Sequence, residues 1–102
     1  MHQMTTITLT QETIEKINGH KDFLQQERLE RCSFTDAIVD KIRKYESADY
    51  EKLEEIELPK GRINKCIYFR HEKDIKLLSE SKRDMSNSEF IERLWRFENG
   101  NI

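Results

Sequence analysis

Two short stretches of the chain alternate apolar and polar residues with a period of two. In Thr6-Ile7-Thr8-Leu9-Thr10, Ile7 and Leu9 fall on one side and three threonines on the other. In Cys66-Ile67-Tyr68-Phe69-Arg70, Ile67 and Phe69 share a side with Ile63, while Cys66, Tyr68 and Arg70 take the opposite one. Both stretches read as strands with a polar outward face. A two-stranded ribbon is marginal in water unless other elements cover its apolar face. Helical spacing follows each strand and supplies that cover.

Thr10 can cap a first helix, with Thr13 standing where a full capping box has Glu. Ile14 and Ile17 open its apolar stripe, and Phe23, Leu24 and Leu29 continue it, so one long helix is expected, with Asn18-Gly19 as the place for a kink. Ser33 and Asp36 start a second helix, since Ser is a good cap and the helix dipole favours an acid in the first turn. Its buried face should be Ala37, Ile38, Ile42 and Tyr45, with Val39 at the edge. Pro59-Lys60-Gly61 is a strong turn signal before the second strand. Beyond that strand, Ile75, Leu77 and Leu78 mark a shorter helix from about His71 to near Asp84. Ser86-Asn87-Ser88-Glu89 is a full capping box; it opens a last helix that buries Phe90, Ile91, Leu94, Trp95 and Phe97 and stops at Asn99-Gly100. Met1 to Thr5 reads as a loose arm, with His2 in solvent.

Length and composition narrow the function. A chain of 102 residues makes one small domain with a single core and no room for an elaborate pocket. Charged residues make up 37% and hydrophobic ones 35%, and the regular spacing of Ile, Leu, Phe and Trp argues for a folded chain. A net charge of −2 excludes a generally sticky polycation, but the distribution is uneven. Lys60, Arg62, Lys65, Arg70 and Lys73 face only Glu72 between positions 60 and 73, whereas six acids face only Lys52 between positions 46 and 58. The positive excess sits on the second strand. Cys32 and Cys66 show no metal-ligand or redox spacing, and neither a signal peptide nor a long apolar run appears, so a soluble cytoplasmic protein with free thiols and no membrane contact is expected. No nucleophile-base pair, phosphate-binding Gly loop or metal cluster stands out, and His20 and His71 lack metal-like partners. Neither catalysis nor a cofactor is expected.

The order strand, helix, capped helix thus occurs twice. Matching Ile7 to Ile67 gives an offset of 60, and matching Ser33 to Ser86 gives 53, so the first copy carries seven extra residues. Seven residues are about two helical turns, which lengthen a helix without rotating its apolar face far. The expected organisation is a first unit over 1–45, an acidic connector over 46–61 that Leu53, Ile56 and Leu58 can dock, and a second unit over 62–102, both units in one compact domain.

In this arrangement the chain resembles the ribbon-helix-helix DNA-binding family, the class of the Arc and MetJ repressors, present twice. Ile7-Thr8-Leu9-Thr10 looks like the family's strand, and Ile67-Tyr68-Phe69-Arg70 like its aliphatic-x-aromatic-Arg version. Ser86-Asn87-Ser88-Glu89-Phe90-Ile91 is similar to the family's second-helix entry, and Ser33-Phe34-Thr35-Asp36-Ala37-Ile38 is a looser copy. The resemblance implies a mainly α fold with one two-stranded antiparallel β-ribbon, a monomeric pseudo-dimer in which one chain supplies both strands, and double-stranded DNA as partner. It implies base contacts from Thr6, Thr8 and Thr10 on one strand and from Cys66, Tyr68 and Arg70 on the other. Phosphates would be held at Ser33, Phe34, Ser86 and Asn87, with Lys65 adding charge. The chemistry suits that role, because the major groove admits a two-stranded ribbon, Arg pairs bidentately with guanine, and helix N-termini attract phosphate. The implied function is a repressor from a phage, plasmid or other prokaryotic element, or an accessory factor of DNA transfer. A third reading, antitoxin-like, gives the long first helix or the acidic connector a protein partner and makes DNA contact secondary.

Overall fold

The computed structural model describes residues 3–98. Their order is β1 (Gln3–Leu9), α1 (Gln11–Arg28), α2 (Phe34–Lys44), a 3-10 turn (Ser47–Asp49), α3 (Tyr50–Glu54), β2 (Ile63–Phe69), α4 (Glu72–Lys82) and α5 (Asn87–Glu98). The fold is mainly helical with one two-stranded antiparallel sheet. Met1, His2 and the expected helix stop at Asn99-Gly100 lie outside the described residues.

The ribbon is longer than the alternation alone suggests. The register sets Met4 against Tyr68, Thr6 against Cys66 and Thr8 against Asn64 on one face, and Thr5 against Ile67, Ile7 against Lys65 and Leu9 against Ile63 on the other. Backbone pairing extends past the alternating core of each strand, so Met4 and Thr5 belong to β1 instead of a loose arm. Ile7, Leu9, Ile67 and Phe69 are buried, as their parity requires. Ile63, the first residue of β2, has the right parity but is 45% exposed, although its partner Leu9 is fully buried.

Thr10 caps α1 by accepting a hydrogen bond from the Thr13 N–H at 3.2 Å. The helix runs on without interruption through Asn18-Gly19, and Gly19 is exposed with open space where a Cβ would stand. Its apolar stripe is shorter than expected: Ile14, Ile17 and Leu24 are buried, but Phe23 is 53% and Leu29 89% exposed. Helix α2 has a closed capping box in which Ser33 Oγ accepts from the Asp36 N–H and Asp36 Oδ2 accepts from the Ser33 N–H. Ala37, Ile38, Val39 and Ile42 are buried on it, and Tyr45 packs partly buried, edge-on to Phe90. Helix α5 opens with the reciprocal Ser86/Glu89 box and buries Phe90, Ile91, Leu94 and Trp95. Each such fully buried side chain contributes roughly 1.5–3 kcal/mol.

Positions 46–61 do more than connect. The segment folds into a 3-10 turn and α3, burying Leu53 completely and Tyr50 to 6% exposure, while the Tyr50 hydroxyl donates to the Lys82 carbonyl at 3.1 Å. Ile56 packs partly buried, and its carbonyl accepts from Arg93 Nε. Among the described residues no helix is long and apolar enough to cross a membrane.

Candidate nucleic-acid interface

The outward face of the ribbon consists of Met4, Thr6 and Thr8 from β1 and Asn64, Cys66 and Tyr68 from β2. Met4 and Tyr68 are each 56% exposed, and Thr6, Asn64 and Cys66 are exposed as well; Thr8 is half-buried. At the centre, Thr6 Oγ1 and Cys66 Sγ are 3.7 Å apart. This face carries no formal charge. It does carry hydroxyls, one amide, a thiol, a phenol and a thioether, a set that can hydrogen-bond base edges and touch methyl groups.

Two hydroxyls on the helices lock the ribbon in place. The Thr8 N–H donates to Ser88 Oγ at 2.9 Å, and the Tyr68 N–H donates to Thr35 Oγ1 at 3.1 Å. Strand N–H groups that face away from the partner strand would otherwise be unsatisfied in a partly buried setting. As a result the first turns of α2 and α5 are held directly against the two strands.

Around the first turn of α2 lies a concavity of about 380 Å³, lined by Ser33, Phe34 and Thr35 from the helix entry and by Lys65, Cys66, Tyr68 and Arg70 from β2 and its end. The Ser33 N–H is used by its own capping box, so the Phe34 and Thr35 N–H groups are the first-turn donors without an intrahelical acceptor. At α5 the Ser86 N–H is likewise taken by Glu89, which leaves Asn87 and Ser88 in that position. Glu89 is held below its usual range by the Ser86 N–H and hydroxyl, with Arg93 and Arg62 assisting against a small opposing effect of burial. The Asn87 Oδ1 atom is buried without a hydrogen-bond partner among the described residues.

Two sequence-based assignments change. Thr10 is not on the outward face: it is 7% exposed, and both its N–H and its hydroxyl donate to the Glu92 carboxylate, at 2.9 and 3.0 Å. Capping a helix turned the chain inward one residue after the strand ended. Arg70 lies just past the end of β2, so strand parity does not govern it; it is exposed at the rim of the concavity. Lys65 has the parity of the core residues, and its ammonium lies 4.8 Å from the centre of the Phe34 ring. Met4 and Asn64 are the outward residues that the sequence reading missed. The register shows them, and the signal in the sequence was only that each lies two residues from an outward residue already assigned.

Glu92 is the other residue missed. Fully buried, it accepts from Thr10 twice, from Thr13 Oγ1 at 2.7 Å and from Arg96 Nε at 2.8 Å. Burial by itself would push its carboxyl up, but these bonds outweigh burial and hold it below its usual value. The cluster ties the start of α1 to the middle of α5. Among the described residues no group of three or more His, Cys, Asp and Glu could hold a metal ion, and Cys32 and Cys66 are both free thiols. Comparison with known proteins yields no matching family model, no matching curated protein and no matching solved structure.

Proposed function

We propose that the chain binds double-stranded DNA sequence-specifically, with the ribbon's outward face in the major groove and the first turns of α2 and α5 on the flanking phosphates. The observation that carries this reading is the concavity in which the α2 entry, Lys65, Arg70 and the outward side chains of Cys66 and Tyr68 come together. Phosphate-seeking and base-seeking groups must stand side by side in a groove binder, because phosphate contacts fix the register in which base contacts act.

The arrangement we propose is a tandem ribbon-helix-helix pseudo-dimer. The sequence offset of 60 makes Thr6 the counterpart of Cys66, and these two residues are paired across the ribbon. With the same offset Thr8 corresponds to Tyr68, and with the offset of 53 Thr35 corresponds to Ser88. The two strand-to-helix hydrogen bonds are then counterparts of each other, each running from the strand of one unit to the second helix of the other. Arg43 and Arg96 match under the second offset too; Arg43 reaches Asp74 near the start of α4 at 3.1 Å, and Arg96 comes within 4.0 Å of Glu12 near the start of α1.

In this reading Asn64 is suited to adenine, which accepts and donates toward an amide, and Met4 and Tyr68 to the thymine methyl group. Arg70 contributes charge at the rim. Selection of bound duplexes from a random pool at about 0.1 M salt, where long-range attraction is already much screened, should enrich one non-palindromic motif. Failure to enrich any motif would overturn the reading. Whether the bound site lies beside a promoter or a transfer origin separates a repressor from an accessory factor of DNA transfer.

A second reading rests on Phe23 and Leu29, exposed on the longer first helix and at its C-cap respectively. It makes α1 a protein-docking helix in the antitoxin manner, with DNA contact secondary. Loss of a protein partner on Phe23→Ser, with duplex selection failing, would favour it.

A further inference from the structure

Lys65 has the strand parity of Ile67 and Phe69, so its stem leaves the ribbon on the helix side and its charge is kept off the outward face. The ammonium is carried to the α2 entry, where it lies 4.8 Å from the centre of the ring of Phe34, the first residue of that helix. An aromatic face seats an ammonium without neutralising it, as a carboxylate would. Arg70 is exposed at the rim of the same concavity, whose lining holds no acid among the described residues. The acid of the first turn of α2, Asp36, is turned back on the Ser33 N–H at 2.8 Å. Two cations thus stand at the α2 entry with their charge available.

The corresponding places beside α5 are neutral. By the offsets of 60 and 53, Lys65, Arg70 and Phe34 match Thr5, Thr10 and Asn87. Thr5 and Asn87 line one hollow of about 190 Å³, so these counterparts come together as Lys65 and Phe34 do. Thr10 is buried, and its N–H and hydroxyl both donate to Glu92. The cation of that hollow, Lys82, donates from Nζ to the Met85 carbonyl at 3.1 Å. Arg93 lies 3.9 Å from Glu89 and donates from Nε to the Ile56 carbonyl, and Arg62 stands near enough to Glu89 to help hold its carboxyl low. Cations on the α5 side are therefore set against a carboxylate or against backbone carbonyls. Those on the α2 side are not.

We infer that the chain grips its duplex unequally, with Lys65, seated on Phe34, and Arg70 neutralising phosphates on the α2 flank and no equivalent pair of charges on the α5 flank. The inference rests on the DNA-binding reading of the ribbon and adds a direction to it. Phosphate contacts fix the register in which base contacts act, so a charge anchor on one side sets which way round the chain lies on an asymmetric motif. Phe34 is a positioning residue here: it holds the Lys65 charge at the helix entry.

Phosphate-ethylation interference on the duplex that selection yields should show strong interference on one side of the motif only. Lys65→Met keeps the stem and removes the charge; it should abolish part of that interference and lower the slope of log affinity against log salt by about 0.9, the value of one phosphate contact, with the motif unchanged. Phe34→Leu leaves the charge but removes its seat, and should move the same two readouts in the same direction, which a merely structural role would not do. Thr5→Lys combined with Asn87→Phe rebuilds the pair beside α5 and should add interference on the other side. Equal interference on both sides for the unmodified chain, or an unchanged salt slope with Lys65→Met, overturns the inference and leaves DNA binding standing. If selection enriches no motif, DNA binding itself falls and the inference with it. Should a variant lose its helical circular dichroism, the interference pattern of the unmodified chain still decides.

Discussion

The backbone N–H of Thr8 donates to the hydroxyl of Ser88 over 2.9 Å, joining the first strand to the last helix. Its counterpart joins Tyr68 to Thr35 over 3.1 Å. Together they set how the ribbon sits relative to α2 and α5. Removing either hydroxyl leaves a strand N–H without its acceptor, so Ser88→Ala and Thr35→Ala should each cost about 1–2 kcal/mol in urea unfolding. Thr35 is the more buried of the two, so its loss should cost more. A change under 0.3 kcal/mol for both would mean that water replaces the hydroxyl and that the brace does not hold the ribbon.

The cluster around Glu92 makes a larger demand. Glu92→Ala would leave Arg96, the Thr10 N–H and two threonine hydroxyls without their common acceptor, and the expected loss is about 3 kcal/mol or more. Glu92→Gln preserves shape but gives up the charge-assisted bonds, so it should fall between. Thermal unfolding of the three proteins at pH 7 tests that order.

Acid should destabilise the chain through the same group. Glu92, Asp40 and Glu89 all titrate below their ordinary values of 4.5, 3.8 and 4.5 when folded. Their favourable contributions are complete above about pH 4.5, the ordinary Glu value, and are lost as pH falls through the lower folded values. For Asp40, burial opposes ionisation, and the bonds to His20 and Lys44 prevail. Urea midpoints measured from pH 6 to pH 3 should decline, and Glu92→Gln should flatten the decline. Equal slopes for the two proteins would remove Glu92 from the explanation.

Arg70 and Asn64 should behave differently on DNA. Arg70 lies past the strand end, so Arg70→Ala should weaken all duplexes alike and reduce the salt dependence, as loss of a phosphate contact does. Asn64 is on the outward face, so Asn64→Ala should relax preference at one end of the motif by ~1–3 kcal/mol and leave the other end unchanged. Selected-site profiles of the two variants decide between these roles, and a shifted motif with Arg70→Ala would reverse them.

Helix α1 offers two backbone corrections. Gly19 is helical, exposed and has open space at its Cβ position, so Gly19→Ala should stabilise by about 0.5–1 kcal/mol. Leu29 caps the helix in the left-handed region at φ 55 and is 89% exposed, so Leu29→Gly relieves roughly 1 kcal/mol of strain with almost no packing lost. Denaturant unfolding of each variant is the check; destabilisation by Leu29→Gly would show that its side chain packs in solution.

The alternation around Ile7 and Ile67, the stripes of α2 and α5 and the two serine caps were all legible in the sequence, because they depend on neighbours within about one turn or two strand residues. Periodicity fixes which residues share a face, and a Ser followed three residues later by an acid closes its own box wherever the chain is. Other features required the folded chain. The placement of Thr10 followed from a carboxylate 82 positions away, and that of Asn64 and Met4 from a register that only pairing with the other strand sets. The exposure of Ile63 and Phe23 is not set by their parity or spacing, and Tyr50 is buried in a segment that reads as an acidic connector docked by Leu53, Ile56 and Leu58. Local sequence determined the elements and their caps. Tertiary packing decided which caps would be buried, which strand residues would face outward together, and where polar atoms would meet, because those outcomes depend on surfaces brought together from distant parts of the chain.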